Sequence, residues 1–242
     1  ADLTTAYTTI GIWGPNARKI VQRLTRADMG NDAFKFGTCR TIEIGSQVVL
    51  ASRISYVGEL GYELYIPAEQ AMHVYECLRQ AGDPMGLRHV GLKALASLRM
   101  EKGYRDYGHD IDNTDCPLEA GFGFAIAWDK PGGFVGLEAL SPRRGRALHQ
   151  RLVQVQLLDP EPLMFHAEIV RRDGRAVGYV RAASYGHTLG AAVGLAMLDA
   201  GGPLTADWLD AGRLEVDVAG VRYPATASLK PLYDPANARI RA

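Results

Sequence analysis

The feature that most narrows the folds open to this chain is a series of short apolar segments in its second half. Residues 151–158, 167–172, 175–184, 191–198, 213–218 and 221–227 each carry Val, Leu, Ile or Ala in lengths that suit a single strand. Asp173-Gly174 and Ala219-Gly220 stand between neighbours in this series. Such dipeptides fit two-residue hairpins, whose favoured turns need positive φ that glycine adopts without steric cost. Strands this short bury a face only by packing together, so a small barrel or sandwich is expected.

The first half has a different texture. Residues 7–12 alternate weakly and predict a strand. Gly14-Pro15 then opens a helix, with Pro15 at the first helical position and Ala17, Ile20, Val21 and Leu24 at helical spacing. Residues 40–44 and 47–54 flank Gly45-Ser46 and predict a hairpin. Residues 61–66 form a further strand, ended by Pro67. Helices follow over 69–80, with Met72, Val74, Tyr75 and Leu78 as apolar positions, and over 90–100, with Leu92, Leu95 and Leu98. Gly103 stops the second of them. The class is therefore α+β. The break at 142–145 sets two domains, an α+β domain over 1–142 and a β domain over 143–242.

Charge and cysteine usage remove several functions. Lys+Arg and Asp+Glu number 27 each, and the basic residues are scattered, so neither nucleic acid nor an anionic membrane surface is an expected partner. No apolar run reaches the ~18 residues that cross a bilayer. The 3 cysteines, Cys39, Cys77 and Cys116, form no Cys-x-x-Cys pair, which disfavours a disulfide framework or a cysteine zinc site and predicts reduced thiols in a cytoplasmic compartment. No Gly-x-Gly-x-x-Gly run exists, so no flavin site is expected within this chain. His109-Asp110-Ile111-Asp112 has ligand-type side chains but no second cluster. It reads as a polar loop with a buried aspartate bonded to backbone, and no metal is expected. Trp13 and Trp128 read as core residues.

Tyr56-Val57-Gly58-Glu59-Leu60-Gly61-Tyr62-Glu63 is the informative block. Its glycines permit a sharp turn or a close backbone approach. A carboxylate accepts two parallel N–H bonds in a fork, as an amino-pyrimidinone edge would offer, and aromatic walls bury a flat ring. The same residues also describe a plain β-turn with two solvent-facing glutamates. Chemistry alone leaves Glu59 and Glu63 equal.

The longer run from Arg53 to Pro67 resembles the central signature of the aminomethyltransferase (glycine-cleavage T-protein) family. Ile10-Gly11-Ile12-Trp13-Gly14-Pro15-Asn16-Ala17-Arg18 resembles that family's Gly-Pro helix start. Ala96-Ser97-Leu98-Arg99-Met100-Glu101-Lys102-Gly103-Tyr104, with Tyr107-Gly108-His109-Asp110-Ile111-Asp112, resembles its second signature, and Pro117-Leu118-Glu119-Ala120-Gly121 its third. The resemblance implies part of a three-domain folate-binding fold around a central opening, followed by a terminal antiparallel β-barrel. It implies tetrahydrofolate as cofactor, with Glu63 on the pterin edge, Tyr56 lining the folate and Arg99 supporting fold or folate. Glu59 is then structural, bonded near its own turn. Tyr107 and His187 are further candidates, and a tail carrying Tyr233 and Arg239 is expected to pack back over the site.

The implied reaction is transfer of an amine-bound carbon onto N5 and N10 of tetrahydrofolate. The family's catalytic aspartate lies before the Gly-Pro helix, so it is expected to be missing here and no catalytic residue is assigned. Leu95 stands where the family's aminomethyltransferases proper tend to carry arginine. The wording around it is closer to the folate domains of dimethylglycine and sarcosine dehydrogenases or oxidases. That branch implies a small secondary-amine-derived substrate and a flavin-containing domain or subunit as partner. The alternative is a non-catalytic folate-binding or interaction remnant.

Overall fold

The computed structural model describes residues 1–242, and its first half is built on a four-stranded antiparallel sheet. The strands are β1 (Tyr7–Trp13), β2 (Cys39–Ile44), β3 (Gln47–Ser52) and β4 (Gly61–Pro67), in the order β1-β4-β3-β2. Gly45 and Ser46 join β2 to β3 with φ of 54° and 70°, the double positive φ that matches the twist of a two-residue hairpin. Period-two alternation sends Ile12, Tyr62, Leu64, Ile66, Ala51, Val49, Ile42 and Ile44 to one face. There they pack with Ala17, Ile20 and Val21 of α1 (Ala17–Gln22) and Val74 and Leu78 of α2 (Ala71–Gly82). A third helix, α3 (Leu92–Glu101), ends at Gly103, whose φ is 65°.

Two local expectations shift. Pro15 precedes α1: it sits inside a turn closed by the Ala17 N–H on the Gly14 carbonyl (3.0 Å), and Asn16 is the N-cap. Met72 lies on the outer side of α2, 70% exposed, because Val74 and Leu78 already set the buried stripe four residues apart.

The second half closes into a barrel. After α4 (Leu137–Leu140) come β5 (Gln150–Leu157), β6 (Ile169–Arg172), β7 (Arg175–Gly186), β8 (Ala191–Asp199), α5 (Ala206–Asp210), β9 (Leu214–Val218) and β10 (Val221–Ser228). The order β10-β5-β8-β7-β6-β9 returns to its start through the β9–β10 pair, so no strand edge is left open. Both predicted turn dipeptides have positive φ throughout: 51° and 80° at Asp173-Gly174, 49° and 84° at Ala219-Gly220. β8 is buried along all but its last residue.

By contacts the chain divides into Ala1–Lys102 with Asp234–Ala242, and Gly103–Tyr233. The second unit takes in the irregular segment before the barrel, where Leu152 N–H donates to the Glu119 carbonyl (2.8 Å). The division expected at 142/143 therefore falls inside it, and the closing helix α6 (Ala238–Arg241) belongs to the first unit. Trp128 is not core; it is half-buried, with the Arg144 guanidinium 4.9 Å above its ring. No helix is long and apolar enough to cross a membrane.

Candidate functional site

The two glycines of the signature block are required for different reasons. Gly58 has a φ of 77°, and a side chain there would meet the stem of Lys102 at 3.0 Å. Gly61 has no positive φ but no room either: an added Cβ would collide with the Ile12 carbonyl oxygen and the Trp13 indole, and lie 2.8 Å from Trp13 Cα. Trp13 faces Gly61 across the β1–β4 ladder, and its ring also folds over Gly11. The indole N–H donates to the Ile54 carbonyl at 3.1 Å, fixing the ring against the turn. Ser55 completes the turn by accepting the amides of Val57 and Glu59 at its hydroxyl (3.3 and 3.1 Å).

Glu63 lies opposite Gly11 on β1 and Ser52 on β3, on the sheet face away from the apolar core. The Tyr65 hydroxyl donates to Glu63 Oε2 at 2.7 Å. Donation to this carboxylate, with burial adding to it, pushes the Tyr65 phenol above its ordinary range, so it remains a donor. The Ser52 hydroxyl bonds Tyr65 in turn and contacts Cys39 Sγ at 2.9 Å. A carboxylate fixed through one oxygen still has lone pairs on both for a forked N–H pair.

Glu63 opens on a cavity of about 570 Å³ in the first unit. Trp13, Val57, Leu95 and Leu98 form apolar walls around it. Tyr75, Arg79, Arg88 and His89 line the polar remainder. Tyr75 OH and His89 Nε2 are 3.0 Å apart with stacked rings, and Arg79 is bound to Glu76 Oε2 (2.9 Å) and Asp83 Oδ2 (3.0 Å). Cavities of this size and lining are ordinary for small flat ligands.

The other predicted positions spread differently. Tyr56 is half-buried in the turn and is not among the cavity-lining residues. Arg99 is buried on α3, one residue past Leu98, and is likewise not part of the lining. The Glu59 amide is held within its own turn by Ser55, but its carboxylate pairs with Arg239 of the closing helix at 3.6 Å. In the second unit, Tyr107 is 70% exposed and bridges to Ile111, and the His187 ring meets Tyr185 edge-on at 5.2 Å. Asp110 is fully buried and accepts the Asp106 amide (2.9 Å) and His109 Nδ1 (2.8 Å). The sequence reading missed Trp13, Tyr75, Arg79 and His89 as cavity residues. Gly11-x-Trp13 carried a readable signal: a large ring two residues from a glycine on one strand face folds onto it.

Residues 1–130 match the family model of the GCVT N-terminal domain, and residues 150–234 that of the glycine cleavage T-protein C-terminal barrel domain. A 4-methylaminobutanoate oxidase (formaldehyde-forming) of Paenarthrobacter nicotinovorans is 43% identical over 240 residues, 99% of this chain and 28% of that protein. The mitochondrial sarcosine dehydrogenase of Homo sapiens is 38% identical, over 96% of this chain and 25% of that protein. The chain thus spans about a quarter of the length of these curated relatives. The crystal structure of glycine cleavage system aminomethyltransferase T from Bartonella henselae matches with a TM-score of 0.77 at 20% identity, over 95% of this chain and 60% of that one, which establishes the shared fold.

Proposed function

Because this chain belongs to the aminomethyltransferase (glycine-cleavage T-protein) family, we propose that its Glu63 cavity binds tetrahydrofolate for one-carbon transfer. The observation that carries the reading is Glu63 itself. Its carboxylate is oriented by Tyr65 and stands among Trp13, Val57, Leu95 and Leu98. A pterin edge needs a fixed acceptor pair, and its ring needs flat apolar walls; the residues present fit both requirements. Bound tetrahydrofolate would supply the amines that take up the carbon. Glu63 would hold the pterin edge, Trp13 would cover the ring, Tyr56 would line the folate from the turn, and Arg99 would support α3 from within.

The donor is read as a small secondary-amine-derived species, with a flavin-bearing domain or subunit generating it. Supporting this, relatives at 43% and 38% identity carry the names of a methylamino-acid oxidase and a sarcosine dehydrogenase. Leu95 also supports it, since this position lines the cavity that holds Glu63 and leaves that wall apolar.

Titration of tetrahydrofolate into the protein and its Glu63→Ala variant tests the site. Removing one partner of a desolvated charge-assisted pair costs about 2–5 kcal/mol. Affinity should therefore fall by roughly thirtyfold or more. Equal affinity for both proteins would end the assignment of Glu63. Methylene-tetrahydrofolate formation from an imine donor separates an active domain from one that binds folate without turnover.

A further inference from the structure

We propose that the segment Asp234–Ala242, locked by Lys102, is a strap that positions the Gly58 turn, and that Lys102 and Asp234 are positioning residues for the Glu63 cavity. The ligand's identity rests on the folate reading above; the strap itself does not.

Lys102 has no solvent exposure, and its stem lies directly under Gly58, with Cβ, Cγ and Cδ at 3.0–3.1 Å from where a side chain would begin. Support for the turn needs only those methylenes. A leucine or methionine would supply them without burying a charge, so the ammonium requires a separate reason. Its partner is Asp234: Nζ donates to the Asp234 carbonyl and to Oδ2 at 3.1 Å.

The Asp234 carboxylate has a second task. Its Oδ1 accepts the Ala238 amide (2.9 Å) and its Oδ2 the Arg239 amide (3.1 Å), the two N–H groups that begin α6. Asp234 holds a φ of 45°, a left-handed conformation that these bonds compensate. From α6, Arg239 reaches back to Glu59, the residue after Gly58. Ile240 is buried, and the Arg241 carbonyl accepts Asn31 Nδ2 at 3.2 Å. The contacts thus form a ring: Lys102, Asp234, α6, Arg239, Glu59, Gly58 and back to Lys102. Leu95 and Leu98 on the helix that Lys102 ends form one cavity wall, and Val57 in the turn forms part of another. The ring therefore fixes the separation of two walls although none of its own charged members lines the cavity.

The experiment compares the protein with Lys102→Met, which keeps the stem and removes the ammonium, and with Arg239→Gln, whose site is more than half exposed and tolerates change. Amide hydrogen exchange is read at residues 57–60, with the paired Ile42 and Val49 of the β2–β3 hairpin as controls. Lys102→Met should speed exchange in the turn by roughly tenfold or more while the controls hold, and Arg239→Gln should do so less. Unchanged turn amides overturn the strap, and so does an equal rise at the controls, since that is general destabilisation. Tetrahydrofolate affinity is measured on the same samples at a temperature where all are folded. Weaker binding by Lys102→Met supports the positioning role. Equal binding despite a loosened turn overturns it. If the unaltered protein binds no tetrahydrofolate, the folate reading falls and the exchange data alone decide the strap.

Discussion

Replacing Gly61 with alanine tests the packing on which the site stands. Gly61 faces Trp13 across the ladder, and a methyl group there would strike the Ile12 carbonyl oxygen, indole Cδ1 and, at 2.8 Å, Trp13 Cα. Two of these three atoms are backbone, so no rotamer change relieves the overlap; β1 must move away from β4. Overpacking of this kind costs about 1–3 kcal/mol. If the ring also swings out, its bond to the Ile54 carbonyl is lost, about 1 kcal/mol more. Alanine restricts the unfolded chain and offsets about 0.4–1 kcal/mol, and Gly61 has no positive φ to add strain. With the ring displaced, the net expectation is a loss of about 1–3.6 kcal/mol. The chain has 3 tryptophans, so a Trp128→Phe, Trp208→Phe background leaves Trp13 as the single indole reporter of the first unit. Urea unfolding followed by its fluorescence should show a lower midpoint at unchanged slope. A loss under about 0.5 kcal/mol with unaltered Trp13 emission would refute the argument that ring and glycine were matched.

Two further outcomes follow from titrating groups. Glu63→Gln weakens the hydrogen bond and removes the charge that, with burial, raise the Tyr65 phenol, so the phenol should titrate closer to the ordinary tyrosine value of about 10, read from its ring resonances; an unmoved titration would mean the Glu63 bond is absent in solution. For Asp234, burial pushes the carboxyl up, but Lys102 and the Ala238 and Arg239 amides outweigh it and hold the group below the usual aspartate range. A carboxyl depressed in the folded state stabilises above its unfolded value of about 3.9, and that stabilisation is lost as pH falls through the folded value. Cleavage by an acid-active protease within 234–242 should therefore rise below about pH 4, and Asp234→Asn should show the loosened tail already at neutral pH. Matching cleavage profiles for the two proteins would sink that assignment.

Much of the fold was legible in local chemistry. Gly45-Ser46, Asp173-Gly174 and Ala219-Gly220 each impose positive φ on two successive residues, and each joins a hairpin. Helical spacing placed α1 and α2 to within a few residues, because an apolar stripe of the right period has only one way to face a sheet. The bounds expected for α3 were also close, but its predicted stripe was not the buried one: Leu92 is 84% exposed, and Ser97, Arg99, Met100 and Glu101 are the buried residues. Family wording pointed at the block containing Glu63, and Glu59 could be separated from it only through that resemblance.

The sequence by itself determined the α+β class, the hairpins, the glycine positions in the signature block and the family. It did so because periodicity, turn dihedrals and motif order are properties of neighbouring residues. Strand lengths and turns left barrel and sandwich open, the family resemblance implied a barrel, and the tertiary structure supplied the closure itself, with β9 meeting β10 while β10 also pairs with β5. It likewise turned Trp13 from an expected core residue into a cavity wall and set Leu95 and Glu63, 32 positions apart, on the same cavity. It also brought Asp234 to Lys102. A buried ammonium must find an anion, but one sequence does not say which carboxylate will be within reach, because that distance is set by the whole path of the chain between them.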